Sequence, residues 1–359
     1  MPSTAVRSPT ETGDLRLIWR TFHSVNPKVR TRDAAVQLGV SEAELLATSC
    51  GENVVRLDAE WDQLVHRLAE MGPVMALTRN EHAVSEKQGT FRNIKFHGQT
   101  GIVRDEGGID LRLFMRNWYM GFAVETEGRQ GKLRSFQFFD RCGTAVHKVY
   151  LTDRSDKSAY ERLASELASA NQEPHQHVEL AEPHVQDRPD SKIDVSCLQE
   201  AWNALEDTHD FRNLLERFGV GRVQALRLVN DDLACRVNTS ALSDILHMAA
   251  QYHISIMIFV GNPGVIQIHS GPVQTIKSTD YWINVLDDGF NLHIREDQIR
   301  SAWVVRKPTE DGLVSSLELY DEKGETIALI FAKRNEGESA PEAWHSMLGS
   351  LLPARRLSR

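Results

Sequence analysis

The spacing of apolar residues changes in a fixed order along this chain, and the order occurs twice. Trp61, Leu64, Val65 and Leu68 recur at the i, i+3, i+4, i+7 spacing of one helical face, which predicts a helix over 59–71. Arg32 to Leu38 reads as a shorter helix ended by Gly39. Leu242, Ile245, Leu246 and Ala249 repeat the helical spacing and predict a helix over 241–252. After each helix the period falls to two. Residues 135–139, a turn at Asp140-Arg141-Cys142-Gly143, and residues 145–151 read as a hairpin. Its counterpart is 316–320, a turn at Asp321-Glu322-Lys323-Gly324, and 326–331. Helices near 157–168 and 340–351 close the two stretches.

The two stretches match in register. Val74 to Asn80 resembles Ile256 to Asn262, with the asparagines 182 residues apart, and the turn aspartates Asp140 and Asp321 lie 181 apart. Two blocks at nearly one offset, in one order, indicate a duplicated domain of about 180 residues, too long a period for a solenoid. The polar, proline-rich stretch 171–192 reads as the linker. The resulting division is an N-terminal tail at 1–14, a first half at 15–170, the linker, and a second half at 193–359.

Composition narrows the function. With 359 residues, 41% of them hydrophobic, the chain can fill two cores. Fifty acidic against 41 basic residues give a net charge of −9, which argues against general nucleic-acid binding but leaves room for a local cationic pocket. Cys50, Cys142, Cys197 and Cys235 are scattered, without a C-x-x-C pair, so buried free thiols are expected rather than disulfides or zinc. There is no apolar leader core and no apolar run near 18 residues, so a cytoplasmic protein without a membrane span is expected.

Two residues stand out as candidate chemistry. Phe211, Leu214, Leu215 and Phe218 form a helical stripe with Asp207 or Thr208 as its cap, which puts His209 in the first turn. The positive end of the helix dipole disfavours imidazolium there, and neutral imidazole is the metal-binding form. A surface histidine beside a cap has the same pattern. Arg112 lies in Asp-Leu-Arg-Leu-Phe, where Leu111 and Leu113 share one strand face and Arg112 and Phe114 the other. A solvated arginine fits that alternation as well as one facing a pocket. Gly219-Val220-Gly221 lacks the third glycine and preceding strand of a dinucleotide loop and reads as a turn between helices. His175, His177 and His184 fall in the linker and read as incidental rather than metal-binding. Trp118-Tyr119-Met120 and Trp282 read as core aromatics.

Six segments occur together in one order: Asn80-Glu81-His82-Ala83-Val84, Asp110-Leu111-Arg112-Leu113-Phe114, Asp207-Thr208-His209-Asp210-Phe211, Arg222-Val223-Gln224-Ala225-Leu226, Phe259-Val260-Gly261-Asn262 and Arg306-Lys307-Pro308-Thr309. In these the chain resembles the bacterial haemin-degrading or haem-trafficking family of the HemS/ChuS/PhuS type, over about Leu15 to Leu352. The resemblance implies an α+β fold of two tandem similar halves, each a large antiparallel sheet flanked by helices, with haem bound between them. It implies His209 as the axial iron ligand, Arg112 as the distal and catalytic group, Phe114 in the distal pocket, and Arg222, Lys307 and Arg334 as cations for the propionates. Phe331 is expected to pack against the ring. These roles suit the chemistry, since haem iron takes neutral histidine and carboxylates take arginine in bidentate contact.

Departures from the family pattern accompany the match. Counting back from Arg334, relatives' tyrosine and glutamine in the closing strand fall at Ala328 and Leu329, which removes polar partners from the propionates. Ser85 stands where some relatives carry a second histidine, so loading through such a residue is not expected. The resemblance implies oxidative haem breakdown with an external electron donor. The alternative is a non-enzymatic chaperone handing haem to a separate oxygenase. Implied partners are haem and either a haem-acceptor protein or a haem transporter. A haem-sensing adaptor is disfavoured by the acidic charge and the lack of a DNA-binding motif.

Overall fold

The structure is a computed structural model that describes residues 12–105, 107–128, 131–183, 186–208, 210–310, 312–333 and 340–353. Its strands build two large antiparallel sheets flanked by helices. The chain forms two compact units. The first comprises residues 1–79, 86–183 and 262–267, and the second 80–85, 184–261 and 268–359. Six residues of each repeat therefore belong to the unit of the other.

The first unit carries α1 (Thr12–Val25), α2 (Thr31–Leu38), α3 (Glu42–Ala47), α4 (Trp61–Arg67) and α5 (Lys157–Glu166). Its strands are β1 (Val54–Leu57), β2 (Val74–Arg79), β3 (Ala83–Gly89, of which 86–89 count here), β4 (Lys95–His97), β5 (Thr100–Arg104), β6 (Asp110–Phe114), β7 (Met120–Gly128), β8 (Gly131–Phe139) and β9 (Ala145–Leu151). They run β1-β7-β8-β9-β2 and β4-β5-β6. Leu64, Val65 and Leu68 pack with Phe136, Phe138 and Val149, so the helical stripe read from the sequence meets the inward side of the hairpin.

The second unit carries α6 (Val195–Asn203), α7 (Asp210–Phe218), α8 (Arg222–Leu228), α9 (Ala241–Gln251) and α10 (Glu342–Leu351). Its strands are β10 (Ala234–Val237), β11 (Ile256–Asn262), β12 (Val265–Gly271), β13 (Ile276–Thr279), β14 (Trp282–Asp287), β15 (Phe290–Arg295), β16 (Ser301–Thr309), β17 (Gly312–Tyr320) and β18 (Thr326–Ala332). They run β10-β16-β17-β18-β11 and β15-β14-β13. Leu242, Ile245, Leu246 and Ala249 of α9, with Trp344 and Leu348 of α10, pack against Ile258, Leu317, Leu319 and Ile330.

The duplicated positions do the same work in both units. The Asn80 amide donates to the carbonyls of Gly261 (3.2 Å), Thr326 (3.3 Å) and Ile327 (2.9 Å), and its oxygen accepts from His82 and Ala83. The Asn262 amide donates to the carbonyls of Arg79 and Val146 (2.8 Å each), and its oxygen accepts from Gly264 and Val265. Asp140 and Asp321 each accept two backbone N–H groups within their hairpin turns. Helix α2 ends at Gly39 (φ 69°), and Gly219 (φ 58°) turns α7 into α8, as the sequence predicts.

Three readings change. The two ends of the stretch 171–192 are pinned rather than loose: the Gln172 side chain bonds both the N–H and the carbonyl of Arg56, the Arg56 guanidinium donates to the carbonyls of Asn171, Glu173 and His175, and Asp190 pairs with Arg227. Trp118 is core as expected, but Tyr119 is 53% exposed, because consecutive residues there point to opposite sides. Cys197 is exposed, whereas Cys50 and Cys235 are buried free thiols.

Candidate haem site

Register places the second unit's key residues in two rows on one sheet face. The first row reads Trp303, Glu318, Leu329, Phe259 across β16-β17-β18-β11, and the second reads Val305, Ser316, Phe331, Met257. The helices α6, α7 and α8 cover the β16–β17 end through a core that includes Trp202, Phe211, Trp303, Val305 and Tyr320. Met257, Phe259, Leu329 and Phe331, beyond that cover, are only half-buried, with the Phe259 and Phe331 rings edge to face at 5.1 Å. The result is an apolar strip beside a helix-covered charged cluster.

Glu318 is the centre of the cluster and is fully buried. Arg222, at the start of α8, reaches its carboxylate with two nitrogens at 2.9–3.1 Å. Lys307 donates at 2.7 Å, Ser316 at 3.1 Å, and the Tyr320 hydroxyl also donates to Glu318. Arg222 Nε donates to the Tyr320 hydroxyl at 2.7 Å. The Phe211 ring lies under both cations, 5.0 Å from the guanidinium carbon and 4.4 Å from the ammonium. Two positive charges and one negative leave one net positive charge. Burial alone would raise the Glu318 carboxyl, but the charges of Arg222 and Lys307 outweigh it and hold the group well below the usual carboxylate range. Burial and the neighbouring Arg222 pull Lys307 down to about 8 despite Glu318.

A pH consequence follows. A carboxyl depressed on folding contributes stability that is full above its unfolded value, near 4.3, and is lost as pH falls below that. The stability advantage of the wild type over Glu318→Gln is therefore expected to shrink between about pH 5 and pH 3. Urea denaturation of both proteins at pH 7 and pH 3 checks this, and an advantage that grows in acid would contradict it.

The expected cations thus differ from one another. Arg222 keeps Nη1 without a partner among the described residues, and its side chain is 26% exposed. Lys307 is 3% exposed, with its ammonium on Glu318. Arg334 and His209 lie outside the described residues. Helix α7 begins at Asp210, where the Asp210 and Phe211 N–H groups bond the carbonyls of Asp207 and Thr208. Ala328 points to the opposite side from Leu329, into the α9–α10 core, so a tyrosine there could not face the cluster. Glu318 itself escaped the sequence reading, because a charge alternating within a strand reads as a solvated face.

In the first unit, β6 has the expected alternation: Leu111 and Leu113 are buried, Arg112 and Phe114 half-buried. Ile102 and Ile266 flank Arg112 across the strands. Arg112 Nη1 donates to the Asp110 carboxylate and to the Leu111 carbonyl (3.2 Å), leaving Nε and Nη2 without partners among the described residues. His175 and His177 stack edge to face at 5.2 Å, and His184 lies outside the described residues. No group of three metal-ligating side chains occurs among the described residues.

The donor set suits haem. A planar, largely apolar ring with anionic edges calls for an apolar strip bordered by positive charge, and the second unit has both. None of the helices among the described residues is long and apolar enough to cross a membrane. The family model described as the haemin-degrading HemS.ChuX domain matches residues 39–167 and 219–351. The hemin transport protein HmuS of Yersinia pestis is 37% identical over 327 residues, which cover 91% of this chain and 94% of that protein. The crystal structure of holo-PhuS, a heme-binding protein from Pseudomonas aeruginosa, superposes with a TM-score of 0.91 at 42% identity, covering 95% of this chain and 99% of that one. ChuS, described as an E. coli heme oxygenase, superposes with a TM-score of 0.86 at 36% identity, covering 95% of this chain and 100% of that one. With the family model matching both repeats and a relative 37% identical over nine-tenths of the chain, this duplicated α+β protein belongs to the haemin-degrading HemS.ChuX domain family.

Proposed function

We propose that this protein binds haem in the cytoplasm, with His209 as axial iron ligand, and releases the iron by oxidative haem degradation. The observation that carries the reading is the strip of Met257, Phe259, Leu329 and Phe331 beside a cluster of one net positive charge. Phe331 and its neighbours exclude water from the ring, Arg222 and Arg334 take the propionates, and Phe114 packs beside Arg112. Haem, when bound, supplies the iron redox chemistry. Arg112 is the distal group: Asp110 fixes its orientation while two guanidinium nitrogens stay available for hydrogen bonds. The alternative is a carrier that passes haem intact to a separate oxygenase or another acceptor. The names of the relatives span both roles, from hemin transport protein to heme oxygenase.

One experiment separates the two. The haem complex is followed by visible spectroscopy with ascorbate or NAD(P)H under air, with catalase present to remove peroxide. Loss of the Soret band with appearance of a bilin supports degradation, whereas an intact band with transfer to an apo-acceptor supports the carrier. Arg112→Ala is expected to retain haem binding within a few-fold while slowing breakdown by about 100–1000-fold, the range for a lost positioned hydrogen-bond donor. Equal losses in affinity and turnover would instead make Arg112 a fold or propionate residue.

A further inference from the structure

Lys307 is nearly as buried as Glu318, and its ammonium is directed at that carboxylate. Arg222 meets Glu318 with Nε and Nη2 and retains one nitrogen without a partner among the described residues, on a partly exposed side chain. We propose that Lys307 and Glu318 form an internal neutral pair that positions Arg222, so that Lys307 serves ligand carboxylates through Glu318 and not by touching them. This rests on the haem reading above.

The charge count makes the pair separable by mutation. With Lys307 protonated and Glu318 ionised, their charges cancel, and Arg222 alone gives the cluster its positive charge. Without Lys307, Glu318 cancels Arg222, and the cluster becomes neutral. Without both, Arg222 again stands alone with one positive charge. Loss of Glu318 should therefore suppress the defect caused by loss of Lys307. A lysine in direct contact with a propionate could not be rescued in this way.

The repeat shows that the fold accepts the change. Gln137 stands 181 residues before Glu318, and its amide bonds Ser135, the counterpart of Ser316. In register it faces Phe122 and Lys148, as Glu318 faces Trp303 and Leu329. An amide at this position is thus already built into the first unit. Replacing a buried ion pair by uncharged groups of similar shape is often neutral for stability, whereas removing one partner is costly.

The test measures equilibrium binding of haem and of haem dimethyl ester to wild type, Lys307→Met, Glu318→Gln and the double variant, with apo-protein thermal melts alongside. Lys307→Met is expected to lose about tenfold in haem affinity, the size of one charge-assisted contact, with ester binding unchanged. The double variant is expected to recover haem affinity to within about threefold of wild type and to melt above both single variants. A double variant as weak as Lys307→Met overturns the proposal, as does a parallel loss of haem and ester. A wild-type protein that fails to bind haem sinks the haem reading itself, whereas normal wild-type binding without suppression sinks only this inference.

Discussion

His209→Ala is expected to lower haem affinity by at least the ~10–100-fold that loss of even an outer partner costs a metal site. Its Soret spectrum should change while far-ultraviolet circular dichroism does not. The helix that follows the histidine is held by described residues. The first N–H groups of α7 are held by the carbonyls of Asp207 and Thr208, and Phe211, Leu214 and Leu215 anchor the helix in the core. On the function proposed above, the substitution removes an iron ligand while the packing of α7 stays in place. Wild-type affinity and spectrum in the variant would show that iron is held elsewhere. His82, 3.4 Å from the Asp321 carboxylate, and the linker histidines would then be examined.

Lys148→Ala is expected to destabilise the protein by about 3–5 kcal/mol, the cost of leaving one member of a buried ion pair alone. Lys148 on β9 is bonded to Glu42 at the start of α3, and both side chains are about nine-tenths buried. Burial would lower the Lys148 pKa, but the Glu42 carboxylate raises it above the ordinary value, so the ammonium stays charged at neutral pH. Leu329 occupies the matching position of the second repeat, which shows that the sheet accepts an apolar residue there. The double variant Glu42→Gln with Lys148→Leu is accordingly expected to recover most of the loss. Urea denaturation midpoints of the two variants and the wild type decide the matter, and equal destabilisation of both variants would refute the ion-pair account.

Repeated, local chemistry was legible in the sequence. Asn80 and Asn262, or Asp140 and Asp321, could be paired because an asparagine at a chain crossing or an aspartate in a hairpin turn bonds backbone within a few residues. The alternation around Arg112 was equally plain. What stayed hidden depends on partners distant in sequence. The Glu318 cluster joins residues 222, 307, 318 and 320, and no local pattern announces that a strand glutamate will be buried by a helix nearly a hundred residues earlier. Gln137, at the same place in the first repeat, was the available clue that this face is covered. The linker misled for a similar reason. Its composition suits a flexible tether, yet single arginines, Arg56 and Arg227, hold its two ends.

The traded segments 80–85 and 262–267 bear on cutting the chain. Within one polypeptide the exchange of segments is intramolecular and independent of protein concentration. Severing the chain anywhere in the linker gives back neither segment. Each fragment lacks six residues of its own unit, with Asn262 absent from one and Asn80 from the other, so the two pieces remain complementary parts rather than independent modules.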